Sequence, residues 1–285
     1  MSVAHDDGFF PAHDGLRLYY RRWRGDGEPK AIIALVHGYL EHSGRYGFVG
    51  EHFAPRGFTV YGFDHRGHGQ SNGPRAYIER FGDYLSDVSR YLELIREREG
   101  AQKPIFLVGH SLGGLIALRY TLEHPEGVRA VVVSSPFLGN KVPISGGKLF
   151  AVRIMGRLLP TIALDAGLDP KQLSHDPAVI EAHQQDPLVL QKFTTRWATE
   201  ALGAQEWVLA NAARLTLPSY FQVGMADSIA DPAVARAVFE RITHGEKRWS
   251  GYDGFFHEIY NEVGREQVFS DLAGYLAGRL AADPS

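Results

Sequence analysis

Short unbroken apolar runs alternate with amphipathic stretches along most of the chain. Ala31–Val36 is apolar at every position, the pattern of a strand covered on both faces. It recurs at Phe58–Phe63, Ile105–Val108, Val128–Val133 and Tyr220–Val223. Between two of these runs, Tyr84, Leu85, Val88, Tyr91, Leu92 and Ile95 recur at intervals of three and four, with Asp87, Arg90, Glu93 and Arg96 on the other side, which predicts a crossover helix. At the start, Phe9–Ala12 and Leu16–Trp23 flank His13-Asp14-Gly15, a hairpin signal. A last helix is expected over Gly264–Leu280, where Val268, Phe269, Leu272, Tyr275, Leu276 and Leu280 make one stripe. Buried strands alternating with amphipathic helices predict an α/β fold: a mostly parallel central sheet with helices on both faces.

The alternation stops between Phe137 and Leu217, where helical patterns continue without a convincing buried strand. A structureless loop of that length is uncommon in a compact domain, so residues 137–217 are read as an inserted helical cap. Residues 1–136 and 218–285 then form the core domain. Pro136, Pro143, Pro160, Pro170, Pro177 and Pro187 divide the insertion into short helices. Leu149–Leu159 is apolar around most of a helix, with Lys148, Arg153 and Arg157 as its polar positions. Two accounts of it stand: packing onto the sheet domain, or an acyl-chain entrance lined by Leu149, Val152, Met155 and Leu159 that also touches lipid aggregates, its arginines at the interface.

Charge and composition narrow the chemistry. Lys and Arg total 30 against 33 Asp and Glu, a net charge of -3, without the basic excess of a general nucleic-acid binder. With no cysteine, disulfides, thiolate nucleophiles and Cys-ligated metal are excluded. Met1–Phe10 lacks the basic start and apolar stretch of a signal peptide, and no apolar run reaches the length of a membrane span. The expectation is a cytoplasmic protein, with peripheral contact to a membrane or micelle through the cap left open.

The chemistry concentrates at three places. Pro104–Val108 runs into Gly109-His110-Ser111-Leu112-Gly113 and then a helical stretch, the strand, G-x-S-x-G, helix order of a nucleophile elbow. Ser111 is the candidate nucleophile, and the N–H of Leu112, free at the helix start, is a candidate oxyanion donor. A serine needs a base and a group that orients the base. His257, on the loop before the last helix, is the candidate base; His110 is read as structural. Asp227, just past the run Tyr220–Val223, is the candidate carboxylate, ahead of Asp231, read as the N-cap of a helix over Ala233–Ile242, and of Asp253. The second oxyanion donor is expected from the loop after Ala31–Val36, at the N–H of Tyr39 beside Gly38.

His37, His42, His65 and His68 invite a metal reading, but no H-E-x-x-H or comparable spacing accompanies them. Asp64 and Arg66 read instead as a buried ion pair bracing their loop. Neither phosphate-binding glycine motif occurs. No cofactor and no metal are expected.

Taken together, His37-Gly38 to Arg45-Tyr46, Asp64-His65-Arg66-Gly67-His68-Gly69-Gln70-Ser71, Gly109 to Gly114, Gly224 to Asp227 and His257-Glu258 resemble the monoacylglycerol lipase and lysophospholipase group of α/β-hydrolases. The resemblance spans nearly the whole chain, and Glu41-His42-Ser43-Gly44-Arg45-Tyr46 is its most specific segment. It implies a cofactor-free serine hydrolase of the α/β-hydrolase fold, with a cap inserted between two strands, cleaving esters of single-chain lipids. Leu40 stands where many relatives have glycine, and the cap matches loosely beyond Asp186-Pro187-Leu188. A carboxylesterase for small soluble esters is the rival among enzymes, and a non-catalytic ligand-binding protein of the same fold the rival from another class.

Overall fold

The computed structural model describes residues 3–141 and 146–282; Pro143 lies outside them. β1 (Ala4–Pro11) and β2 (Arg17–Arg24) form the antiparallel ribbon expected at the start, with Ala4 opposite Arg24 and Pro11 opposite Arg17. There follow β3 (Ala31–Val36), α1 (Gly47–Phe53), β4 (Phe58–Phe63), α2 (Phe81–Glu99), β5 (Ile105–His110), α3 (Leu112–Glu123) and β6 (Ala130–Ser134). The chain then leaves the sheet for α4 (Gly146–Leu158), β7 (Ala163–Asp165), α5 (Pro177–Gln185), β8 (Lys192–Thr194) and α6 (Thr195–Asn211). It returns with β9 (Ser219–Gly224), α7 (Pro232–Arg241), β10 (Lys247–Tyr252) and α8 (Arg265–Ala281).

The sheet runs β1-β2-β4-β3-β5-β6-β9-β10. β2 is antiparallel to β4, and every pairing from β4 to β10 is parallel. Every residue of β3, β4, β5, β6 and β9 is buried, as strands with helices on both faces require. One face packs against α2, α3, α6 and α7 through residues such as Tyr84, Val88, Leu115 and Val208, the other against α1 and α8 through Phe53, Phe269 and Leu272. On α2 the side chains of Tyr84, Leu85, Val88, Tyr91, Leu92 and Ile95 are all buried, and the four aliphatic ones each stabilise by roughly 1.5–3 kcal/mol.

β10 was not among the expected strands. It is an edge strand, Lys-Arg-Trp-Ser-Gly-Tyr, of which only Tyr252 is fully buried, so it lacks the continuous apolar signature of its neighbours. The insertion also holds a ribbon, β7 with β8, of three residues each, too short to leave a period in the sequence.

Candidate active site

β5 delivers Ser111 through a turn that only small neighbours permit. Ser111 has φ 51° and ψ −117°, and a Cβ on Gly109 would collide with the Gly113 carbonyl, one on Gly113 with the Val36 carbonyl. This left-handed backbone at a non-glycine residue is strained, and it raises the hydroxyl above the strand ends. The loop after β9 supplies Asp227, and the loop between β10 and α8 supplies His257. Ser111 Oγ lies 2.9 Å from His257 Nε2, and His257 Nδ1 lies 2.7 Å from Asp227 Oδ2. The other carboxylate oxygen of Asp227 accepts the N–H groups of Ile229 (2.8 Å) and Ala230 (3.0 Å). With Nδ1–H donating to Asp227, Nε2 is left as the acceptor for the serine proton. Burial opposes a charge on His257, but Asp227, with Glu258 and Glu41 behind it, outweighs burial and raises its pKa above 6.5.

Asp231 is the N-cap of α7, its Oδ1 accepting from Ala233 N at 3.1 Å, and Asp253 is exposed. His110 donates or accepts at Ser134 Oγ (3.1 Å), as a structural residue would. Its ring also lies 4.9 Å from that of His257 and borders the cavity over Ser111.

The loop after β3 is held by a buried cluster of charges. Glu41 Oε1 accepts from Gly38 N (2.5 Å) and Tyr46 OH (2.7 Å), and Glu41 Oε2 pairs with Arg45 (2.9 Å). Arg45 also grips Glu258, next to His257, with two bonds of 2.6 and 2.8 Å, a bidentate geometry. Burial pushes the Glu41 carboxyl up, whereas Arg45 overcomes burial at Glu258 and holds it down at about 2. Because Glu41 occupies the Gly38 N–H, the next N–H of the loop, that of Tyr39, is the one available to an oxyanion. Leu40 takes φ 66°, the left-handed region that suits a glycine, and its carbonyl accepts from Leu190 N of the insertion (2.8 Å). His42 Nε2 meets Asp186 there at 2.8 Å. The Glu41, Arg45 and Glu258 cluster was not singled out from sequence; an i, i+4 charge pair inside an otherwise uncharged glycine-containing loop was its signal.

Ser111 opens on a cavity of about 360 Å³ between the sheet and the insertion. Phe137, Val152, Phe193, Trp197 and Leu202 make an apolar arm, and Glu41, Arg45, His183 and Glu258 a polar end. Of the four residues expected to line an acyl entrance, Val152 alone reaches this cavity. Leu149 borders a second, smaller cavity, and Met155 and Leu159 border neither, which corrects that expectation. The reason is the way α4 docks: Thr199 Oγ1 of α6 donates to the Val152 carbonyl (3.1 Å), and Gly156 is pressed so closely on Thr199 that a Cβ would collide. The Val152 and Gly156 side therefore faces α6, while Phe150 and Leu158 are 68% and 70% exposed.

The Asp64–Arg66 pair does not form. The chain turns after Asp64, so Arg66 reaches α2 and binds Asp87 with two bonds of 2.7 Å. Asp64 instead accepts from Ser43 N and Gln70 N, both at 2.8 Å. The His37 and His65 rings lie 3.9 Å apart, tilted by 47°, with His65 N donating to His37 Nε2 and the His65 ring meeting the His37 carbonyl. His68 Nδ1 donates to Arg66 O, and His42 points away, to Asp186.

Residues 27–264 match the family described as serine aminopeptidase S33. A monoacylglycerol lipase of Mycolicibacterium smegmatis is 30% identical over 281 residues, 98% of this chain and 100% of that one. The chain belongs to this family. A monoglyceride lipase of Mus musculus is 31% identical over 94% of this chain and 89% of its own. The crystal structure of Paleococcus ferrophilus monoacylglycerol lipase superposes with a TM-score of 0.81 at 28% identity, covering 99% of this chain and 100% of that one. As a family member, the chain is an α/β-hydrolase, a serine hydrolase of carboxylic esters.

Proposed function

We propose that this family member hydrolyses esters of single-chain lipids, monoacylglycerols first, through an acyl-enzyme on Ser111. The observation that carries the reading is the hydrogen-bonded line Ser111–His257–Asp227, opening on a cavity that is apolar along one arm and polar at its end. Ser111 Oγ attacks the ester carbonyl while its proton passes to His257 Nε2, and Asp227 holds the imidazole tautomer and offsets its charge. The N–H groups of Tyr39 and Leu112 receive the oxyanion. Collapse expels the alcohol, which takes the proton from His257; water, deprotonated by the same imidazole, then releases the acid.

Residues 137–217 act as the cap over the core formed by 1–136 and 218–285. Its apolar arm suits an acyl chain. At the polar end Arg45 lies between two carboxylates, so no unbalanced positive charge awaits a phosphate, and a neutral polyol fits better than a lysophospholipid headgroup. The same arrangement disfavours an aminopeptidase reaction, because Glu41 and Glu258 are occupied by Arg45 rather than open to an ammonium group. On the outside of the cap, Phe150, Ile154 and Leu158 form an exposed i, i+4, i+8 stripe with Leu159 beside it. Lys148, Arg153 and Arg157 flank it, an arrangement that suits contact with a lipid surface. No helix among the described residues is long and apolar enough to cross a membrane.

The test is a panel of monoacylglycerols, lysophospholipids, p-nitrophenyl acetate and aminoacyl p-nitroanilides with the native enzyme and Ser111→Ala. Highest kcat/KM on monoacylglycerols, lost in the variant by roughly 10⁴-fold or more, is expected. Preference for the acetate would favour the small-ester reading, and undiminished turnover by the variant would refute Ser111.

A further inference from the structure

Beyond the cavity over Ser111, a second one of about 220 Å³ lies where α4 and α6 of the cap meet α7 of the core. Its walls are mostly hydrocarbon: Leu138, Leu149, Leu202, Leu209 and Val234. Two residues, Asn140 and Leu202, border both cavities, so they form the partition between them. The two sides of that partition differ in freedom. Asn140 sits on a segment pinned to the Asp227 loop, with Asn140 bridged to Ala230 and Asp231 N donating to Gly139 O at 2.9 Å. Leu202 is a partly exposed side chain on α6, able to change rotamer without moving a backbone hydrogen bond. At the outer rim, Arg153 of α4 meets Glu206 of α6 at 2.6 Å.

We propose that this second cavity is the subsite for the distal half of a long acyl chain, entered past Leu202. It rests on the reading that Ser111 is acylated by lipid esters. At about 360 Å³ the first cavity stands near the small end of ligand sites, roughly 300–1,000 Å³. It must hold the alcohol, the ester and the chain together. In this proposal a medium-length acyl group fills the apolar arm and a longer one continues beyond it, the second cavity being an apolar space that shares a wall with that arm. The polar rim of Arg153 and Glu206 marks where the hydrocarbon stops, since burying that pair under an acyl terminus would desolvate both charges. The cavity thus sets which chain lengths gain full binding energy, and residues that border it and not the first cavity, Leu209, Val234 and Glu206 among them, act on length without bordering the ester.

The test compares kcat/KM on monooctanoylglycerol and monooleoylglycerol for the native enzyme, Val234→Trp and Glu206→Trp, with a melting curve for each. Filling the second cavity should lower the oleoyl-to-octanoyl ratio about tenfold or more, the equivalent of excluding two or three methylenes. Glu206 is exposed at the rim, so its variant decides the matter if Val234→Trp fails to fold. A native ratio in a folded Glu206→Trp and in a folded Val234→Trp would overturn the subsite while leaving the lipid-ester reading intact. A native enzyme that cleaves neither monoacylglycerol but cleaves other esters would overturn the lipid reading and the subsite together.

Discussion

At the scale of residues, the chemistry depends on keeping one imidazole neutral in a place that favours its charge. Asp227 raises the His257 pKa above 6.5 against the effect of burial, so the acid limb of kcat/KM should have its midpoint above 6.5 and activity should fall as pH drops through it. Asp227→Asn should cost on the order of 10³–10⁴ in turnover by favouring the wrong tautomer. Asp231→Asn, at a carboxylate that caps α7 and meets Lys141 at 3.3 Å, should leave turnover nearly native; steady-state rates of the two variants at one pH decide between them. Equal losses would mean that Asp231 takes part. Ser111, Asp227 and His257 could be singled out as candidates in the sequence because each follows a strand end or precedes a helix, positions that local pattern fixes. Arg66 is the opposite case: its partners, Asp87 on α2 and Asp14 in the turn after β1, are 21 and 52 residues away, and no local pattern reports those encounters.

Elements were legible in proportion to how fully they are buried. β3, β4, β5, β6 and β9 are hydrocarbon on both faces and appeared as apolar runs, whereas β10, half exposed at the edge, did not. For α4 the sequence showed a helix but not its orientation, because a helix apolar nearly all round carries no face; Thr199 and Gly156 settle which side meets α6. Val152 is consequently the one of Leu149, Val152, Met155 and Leu159 that lines the cavity over Ser111. Val152→Asp should lower activity on long-chain monoacylglycerols far more than on p-nitrophenyl acetate, because a desolvated carboxylate opposes hydrocarbon but not acetate. A proportionate loss on both substrates, with a lowered Tm, would make α4 a packing element only. The charge cluster behind the oxyanion loop gives a complementary expectation. Arg45→Met leaves Glu41 and Glu258 buried without their partner, a loss of roughly 3–5 kcal/mol, visible as a lower denaturation midpoint.

For the whole molecule, four buried histidines tie stability to pH. Burial holds His37 well below 6.5, His65 and His110 at about 3 and His68 at about 4. The unfolded chain takes up protons at these sites below about 6.5 while the folded chain does not, so stability is greatest above that value. It declines as pH falls, by up to ~1.4 kcal/mol per pH unit for each histidine. Asp87, raised by burial to about 6, works in the other direction, as do the Glu41 carboxyl, raised by burial, and His257, raised by Asp227 against burial. Denaturation midpoints should therefore fall steeply between pH 7 and pH 5; a flat profile would contradict the burial of these rings. The sheet and its helices followed from the sequence, and the histidines after β3 and β4 stood out there as a group, but that His37, His65 and His68 pack on one another while His42 turns to Asp186 did not, because that depends on how β3 and β4 lie side by side. The central claim is that Ser111, activated through His257, is the nucleophile, and intact mass measurement with peptide mapping after treatment with a fluorophosphonate tests it most directly. The expected result is one adduct per chain, on the peptide containing Ser111, lost in Ser111→Ala and slowed by Asp227→Asn; an adduct on another residue, or one that persists in Ser111→Ala, would contradict the account.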